Sequence, residues 1–426
     1  MKKDVYPSIL TGTIKAPGSK SIAQRMVAGA LLAKGESFIA DYPESADCQA
    51  ALQVAQQLGA VITTNQNDIT IKGGFPQNFQ NGIRNPKDQI FCGESGLASR
   101  MFTPIAALYH EEILVEGEGS LLLRPFTEFD QVIPALGAKC KTKKGKLPVK
   151  VHGPLQGGKA DLDGSLSSQF LTGLLMALPR ADHESLLNVS NLKSIPYVRM
   201  TIEVMKMFGV ETSNEQFEKF KIAPNQTYIP IKADVPGDWS GAAFLLVAGA
   251  VAAENGILVT NLSFDITQAD SKILDALKLA GVSFEIKKEG IFIRESEIQA
   301  FEFDASDCPD LMPPLAALAA FANGVSVLKG AKRLKHKESN RSKALKEEFG
   351  KAGIKITVRD DEMLIYPGHI RSAQLNSHND HRIAMAAAIL GLGGDKITIN
   401  GSSCVSKSYP SFFEDLTALN AKIASK

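Results

Sequence analysis

The chain has 426 residues, of which 22% are charged and 44% hydrophobic, and a formal net charge of +1. That balance is long and apolar enough for two or more domains with large cores, and it lacks the basic excess of a nucleic-acid-binding protein. No apolar run reaches the roughly 18 residues of a membrane span, Met1-Lys2-Lys3-Asp4 leads into no signal-peptide core, and the five scattered cysteines (Cys48, Cys92, Cys140, Cys308, Cys404) suit free thiols in a reducing compartment, the cytoplasm by default.

Along the chain one pattern returns. Gly18-Ser19-Lys20-Ser21 opens an apolar, Ala-rich helical stretch, a strand-like Phe38-Ile39 follows, and a helix pattern ends at Gly59. The same order runs from Gly93-Glu94-Ser95-Gly96 through Ile113-Leu114-Val115 to Gly137, and from Gly164-Ser165 through Leu186-Leu187-Asn188-Val189 to Gly209. It continues from Gly237-Asp238-Trp239-Ser240 through Ile257-Leu258-Val259 to Gly281, from Pro309-Asp310 through Val325-Ser326-Val327 to Gly353, and from Asn379-Asp380-His381 through Ile397-Thr398-Ile399 to Asn420. Gly137, Gly209, Gly281 and Gly353 follow one another at intervals of 72 residues. Glycine, and after it asparagine, tolerates the left-handed residue that ends a helix, so the series predicts six α/β repeats of strand, buried helix, strand, surface helix and strands. The Lys-rich run Lys139 to Lys150 contains Gly145 and Pro148 and no interleaved aromatics, and reads as a solvated hairpin.

The first helix of each repeat is apolar nearly all round, as from Ala242 to Ala253 or Leu315 to Ala322, and so must be buried. Its N-terminus then needs water, a cap or an anion. The polar starts are either ordinary caps or parts of an anion-binding centre. Gly237 and Ser240, which no cation accompanies, are read as caps. Gly18-Ser19-Lys20-Ser21 is not a Walker A motif, because Ser19 and Ile14 stand where glycines are required. Cations do recur at equivalent phases: Lys20, Arg25, Arg100, Arg124, Lys337, Arg341, Arg382 and Lys407. Together they imply a ligand with several negative charges. Asp310 and Glu338 lie among them, either as acid–base groups or as counter-ions of neighbouring arginines. His378 and His381 stand three apart with no third ligand type at a recognisable spacing, and are not read as a metal site.

The segments Pro17 to Arg25, Gly93 to Arg100, Leu123-Arg124-Pro125, Asp163 to Gln169, Ser194-Ile195-Pro196-Tyr197, Lys337 to Arg341 and Asp380-His381-Arg382 closely resemble the enolpyruvyl transferases, and among them the branch acting on shikimate 3-phosphate. The resemblance spans essentially the whole chain. It implies a two-domain inside-out α/β barrel fold of six βαβαββ-type repeats, three per domain, with residues 1–18 and 236–426 in one domain, 19–235 in the other, and the active site in the cleft between them. It further implies a monomer that transfers the enolpyruvyl group of phosphoenolpyruvate to the 5-hydroxyl of shikimate 3-phosphate, without cofactor or metal, on the route to chorismate and the aromatic amino acids.

By the same resemblance, Ser167, Ser168 and Ser194 meet the shikimate phosphate, Arg25 its carboxylate, and Asp310 and Lys337 its ring hydroxyls, with Lys20, Ser21, Gln169 and Tyr197 nearby. Phosphoenolpyruvate meets Lys20, Gly96, Arg124, Gln169, Arg341, Arg382 and Lys407. Asp310, Glu338 and Lys20 carry the catalytic roles, and glyphosate is expected to occupy the phosphoenolpyruvate site. Some positions depart from the family. An Asn-Ala-Gly-Thr type segment is replaced by Glu94-Ser95-Gly96-Leu97, Arg333 stands where an Asn is usual, Gln24 replaces an Asn, and Leu97 and Met101 are unusual beside Gly96. The sister transfer to UDP-N-acetylglucosamine needs a loop Cys that neither Cys92 nor Cys140 matches, and a non-catalytic anion-binding protein on the same scaffold would most simply lack Asp310 or Glu338.

Overall fold

The spaced glycines end helices in left-handed backbone. Gly59, Gly137, Gly209, Gly281 and Gly353 have φ of +105°, +91°, +75°, +72° and +92°, and Asn420 takes +70°. Such angles clash with a Cβ, which is why glycine or asparagine stands at each. The computed structural model describes residues 1–74 and 86–426.

Strand β1 (Lys2–Val5) comes first. The first repeat then holds β2 (Gly12–Lys15), α1 (Lys20–Leu32), β3 (Gly35–Ala40), α2 (Ala46–Gln57), β4 (Val61–Asn65) and β5 (Asp68–Gly73). The second holds β6 (Gln89–Phe91), α3 (Gly96–Ala106), β7 (Glu112–Glu116), α4 (Phe129–Ala135), β8 (Lys139–Lys143) and β9 (Lys146–His152). The third holds β10 (Gly158–Asp163), α5 (Gln169–Ala177), β11 (Ser185–Ser190), α6 (Ile195–Met207), β12 (Ser213–Glu215) and β13 (Lys219–Ile222). The fourth holds β14 (Lys232–Asp234), α7 (Trp239–Ala252), β15 (Ile257–Thr260), α8 (Ile273–Leu279), β16 (Phe284–Ile286) and β17 (Gly290–Ile293). The fifth holds β18 (Glu302–Asp304), α9 (Met312–Ala319), β19 (Ser326–Lys329), α10 (Arg341–Lys351), β20 (Lys355–Arg359) and β21 (Glu362–Tyr366). The sixth holds β22 (Ala373–Asn376), α11 (His381–Gly393), β23 (Ile397–Asn400), α12 (Phe412–Ala418) and β24 (Ile423–Ser425).

Among the described residues each repeat corresponds to one four-stranded sheet, in which the first strand lies parallel to the second, the fourth pairs antiparallel beside it, and the third takes the far edge. The sixth sheet has the order β22-β23-β1-β24, so β1 supplies its missing strand from the other end of the chain. The first and fourth repeats exchange their opening strands. β14 lies parallel to β3, with Lys232 opposite Phe38, while β2 lies parallel to β15, with Gly12 opposite Ile257. The chain accordingly divides into two compact units, Met1–Pro17 with Pro236–Lys426, and Gly18–Val235, the first crossing falling one residue before the expected one. Each unit owns three sheets.

Inside each unit the buried helices form the core. Every residue of α7 and of α9 is buried, and so is α11 from His381 to Leu392. Small side chains allow close approach, as at Gly173 of α5, where an added Cβ would lie 2.4 Å from the carbonyl of Arg100 in α3. The Lys-rich run is the expected hairpin: β8 and β9 pair antiparallel across Lys144 and Gly145, both at positive φ (56° and 75°), the backbone that two-residue hairpin turns require.

Two glycines at one helix end should respond oppositely to alanine. Gly353 is at φ +92°, and an added Cβ would lie 2.9 Å from the His369 carbonyl; the exposed Gly350, in the last turn of α10, has nothing within 4 Å. Gly353→Ala should destabilise by about 1 kcal/mol or more, and Gly350→Ala should stabilise by up to about 1 kcal/mol. Urea or thermal unfolding reads both, and shifts of the same sign would contradict the cap assignment.

Candidate functional site

In the unit of residues 18–235, the start of α3 is where cations gather. Ser95 caps the helix, its Oγ accepting from Ala98 N at 3.2 Å and donating to the buried Gln24 Oε1 at 3.1 Å. Gly96 follows, and a methyl there would lie 2.5 Å from Arg124 Nη1, 3.2 Å from Arg100 Nη1 and 3.5 Å from Gln169 Oε1. Three side chains from different elements therefore enclose the first turn of one helix. Arg100 is fixed by a 2.8 Å bond from Nη1 to Gln169 Oε1, a 3.1 Å bond to the Pro125 carbonyl, and the rings of Phe126 and Phe170 at 4.9 and 5.1 Å. Arg124 Nη2 donates to Ser120 Oγ at 3.3 Å. Two guanidiniums at a helix N-terminus make a setting for a phosphate or carboxylate.

Around α1 the cations are held differently. Lys20 Nζ pairs with Asp47 Oδ2 at 2.9 Å. Arg25 turns inward, 1% exposed, and donates to Ser21 O at 2.7 Å, Thr201 Oγ1 at 2.9 Å and Tyr197 O at 3.3 Å. Burial lowers its pKa to about 10, so it stays charged at neutral pH. Ser168 and Ser194 precede α5 and α6, Ser194 in left-handed backbone (φ +56°), and Ser167 Oγ accepts from Gln169 N at 3.3 Å.

In the other unit the centre is Asp310, in a 3-10 turn before α9. Its carboxylate receives Arg341 Nη1 at 2.7 Å, Arg382 Nη2 at 3.1 Å and Lys337 Nζ at 3.4 Å. Arg341 also donates through Nη2 to Glu338 and through Nε to Asp380 Oδ2 at 2.8 Å. Asp380 caps α11 by accepting from Arg382 N at 3.0 Å, and accepts from Ser339 Oγ at 3.0 Å. Lys407 Nζ donates to Asn379 O at 2.9 Å. Burial alone would raise the Asp310 pKa, but Arg382, Lys337 and Arg341 outweigh it and hold the carboxyl well below its ordinary range. His378 bonds to Glu348 Oε1 at 2.7 Å.

The departures have local explanations. Glu94 Oε2 accepts from Ser120 N at 2.9 Å, Gln24 bonds to the α3 cap, Arg333 Nη1 donates to Ser306 O, and Leu97 and Met101 are buried. Three carboxylates have roles that the sequence did not assign. Asp47 and Asp380 pair with Lys20 and Arg341, and only the helix-cap position of Asp380 could have signalled it. Asp270, in the 3-10 turn Ala269–Lys272, is 3% exposed; burial and the Asp310 charge raise its pKa to about 6 against the pull of Arg382. Nothing in its sequence context marks it.

A family model for EPSP synthase (3-phosphoshikimate 1-carboxyvinyltransferase) matches residues 6–416. The chain belongs to the EPSP synthase family. It is 36% identical over 422 residues to the 3-phosphoshikimate 1-carboxyvinyltransferase of Clostridium kluyveri, covering 98% of this chain and 97% of that protein. The same-named protein of Methanosarcina acetivorans is 34% identical over 431 residues, 99% of each. Among solved structures, EPSP synthase from Acinetobacter baumannii superposes over all of both chains with a TM-score of 0.83 at 26% identity. The enolpyruvyl transferase NikO from Streptomyces tendae shares the fold, with a TM-score of 0.79 at 17% identity over 99% of this chain and 98% of that one. The fold is the two-domain enolpyruvyl transferase fold, an inside-out α/β barrel. Among the described residues no helix is long and apolar enough to cross a membrane.

A carboxyl whose pKa is about 6 when folded and near 3.8 ordinarily binds its proton more tightly in the native state. Its presence therefore makes stability fall as pH rises from about 4 to about 6. Asp270→Asn removes that dependence, so the variant should gain in melting temperature over the parent as pH is raised from about 4 to about 7. A constant difference across that range would show that Asp270 ionises normally.

Proposed function

We propose that the chain transfers the enolpyruvyl group of phosphoenolpyruvate to the 5-hydroxyl of shikimate 3-phosphate and releases phosphate. The observation that carries this is the pair of acids, Asp310 and Glu338, bonded to one buried guanidinium, Arg341, in a chain that matches the family nearly end to end. The 5-oxygen of shikimate 3-phosphate bonds to C2 of phosphoenolpyruvate and gives its proton to Asp310. Glu338, with Lys20, protonates the methylene carbon. In the tetrahedral intermediate the bond to phosphate then breaks, the proton held by Asp310 passes to the departing phosphate, and Glu338 takes its proton back from the new methyl group.

Asp310 pinned by three cations is a weak base. The phosphate and carboxylate of phosphoenolpyruvate compete for the same guanidiniums of Arg341 and Arg382, and drawing them off the carboxylate restores its basicity. We assign Lys407, Lys20, Gly96, Arg124 and Gln169 to phosphoenolpyruvate as well. Shikimate 3-phosphate takes Ser167, Ser168 and Ser194 on its phosphate, Arg25 on its carboxylate, Lys337 and Asp310 on its hydroxyls, and Ser21 and Tyr197 beside them. As the family resemblance implies, we infer a monomer, working in the cytoplasm where its five free cysteines would stay reduced. The UDP-N-acetylglucosamine reaction is not favoured, because burial pushes the thiols of Cys92 and Cys140 up and away from reactivity.

Phosphate release from phosphoenolpyruvate should require shikimate 3-phosphate, and UDP-N-acetylglucosamine should not replace it. Asp310→Asn and Glu338→Gln should each lower turnover by roughly 100-fold or more while keeping a cooperative melt. Near-parental turnover in both would remove the acid–base assignment.

Glyphosate, a phosphonate and carboxylate on one small zwitterion, should compete with phosphoenolpyruvate for the Arg124, Arg341 and Arg382 group. A methyl at Gly96 would lie 2.5 Å from Arg124 Nη1 and force that side chain to shift. Gly96→Ala should therefore raise the inhibition constant more than the KM for phosphoenolpyruvate. Equal rises in both would mean that the methyl disturbs the site without discriminating between the two ligands.

A further inference from the structure

We infer that Glu94 is a positioning residue for Arg124, holding the turn that presents this guanidinium and thereby setting the affinity for phosphoenolpyruvate; this rests on the reaction proposed above. Arg124 follows directly on the 3-10 turn Gly119–Leu123. The first N–H groups of such a turn lack partners within it and need an acceptor from elsewhere. Glu118, at the cap position, provides no side-chain bond. Glu94 fills that role from a distant segment, its Oε2 accepting from Ser120 N at 2.9 Å. Ser120 then passes the constraint on, because its Oγ accepts from Arg124 Nη2 at 3.3 Å.

The turn is shaped to receive this carboxylate. Gly119 has φ +57°, and an added Cβ would lie 2.4 Å from Glu94 Cδ and 2.5 Å from its Oε2. The backbone stitches the same two segments together, with Glu118 N donating to Gly93 O at 2.8 Å and Cys92 N to Glu116 O at 2.9 Å. Two residues after Glu94 comes Gly96, whose missing Cβ leaves room for Arg124 Nη1. The loop opening α3 and the turn carrying Arg124 are thus one assembly, with the Glu94 carboxylate as its side-chain tie. A charged acceptor makes a stronger bond to an N–H than a neutral one does. That is a physical reason for an acid at the position where the family usually carries an amide.

Steady-state kinetics with each substrate varied in turn tests this. Glu94→Ala should raise the KM for phosphoenolpyruvate roughly tenfold, as the loss of one charge-assisted hydrogen bond implies, with the KM for shikimate 3-phosphate little changed. Glu94→Gln keeps an acceptor and should recover most of the loss. Gly119→Ala, which pushes the carboxylate away, should reproduce the Glu94→Ala effect, and the double variant should be no worse than either single one. Arg124→Ala serves as the reference. If it raises the KM for phosphoenolpyruvate while Glu94→Ala and Gly119→Ala do not, or if the two effects simply add, the inference is overturned and the proposed reaction stands. A parent protein without turnover on both substrates would instead sink the proposed reaction, and this inference with it.

Discussion

Arg341 is 1% exposed, and three carboxylates are bonded to its guanidinium. They come from three elements: Asp310 from the turn before α9, Glu338 from the segment before α10, and Asp380 from the cap of α11. Burial would lower the Arg341 pKa, but these charges raise it instead. The arrangement is not a source of net stability, since desolvating four charged groups offsets most of their attraction. What it provides is geometry. The two acids assigned to the chemistry are held by one rigid fork, and Asp380, the cap of α11, fixes that fork to the helix core.

The unit of residues 18–235 solves the same problem with neutral groups. Arg25 is surrounded by hydroxyls and carbonyls, and Arg100 lies between two phenylalanine rings with an amide oxygen and a carbonyl at its nitrogens. Neutral partners orient a cation without cancelling its charge, whereas Asp310 and Asp380 largely cancel that of Arg341.

What was legible in the sequence was what local chemistry dictates. Helix ends at Gly59 through Asn420, a hairpin within Lys139 to Lys150, and the apolar helix from Ala242 follow from φ preferences and burial over a few residues. Val325 shows the limit even there, because the strand begins at Ser326. Contacts made through space left no local trace. Nothing around Asp270 distinguishes it from a surface acid, and the bond from Ser120 to Glu94 joins residues with no common pattern. Family resemblance proposes a residue list for the site, but not which carboxylate holds which arginine.

The exchange of opening strands also orders events on the ribosome. Residues 18–235 contain all three sheets of their unit, and β14, near the end of that stretch, completes the first of them. Once Val235 has emerged, that unit can close without waiting for more chain. β1 and β2 are made before residues 18–235, yet they have to wait, because Gly12 pairs with Ile257 and Lys2 with Asn400. Their unit carries the slow, long-range closure. Until Asn400 has emerged, β1 remains a short strand with open edges beside an already folded unit, the stretch of the chain's life in which it depends most on protection from its neighbours.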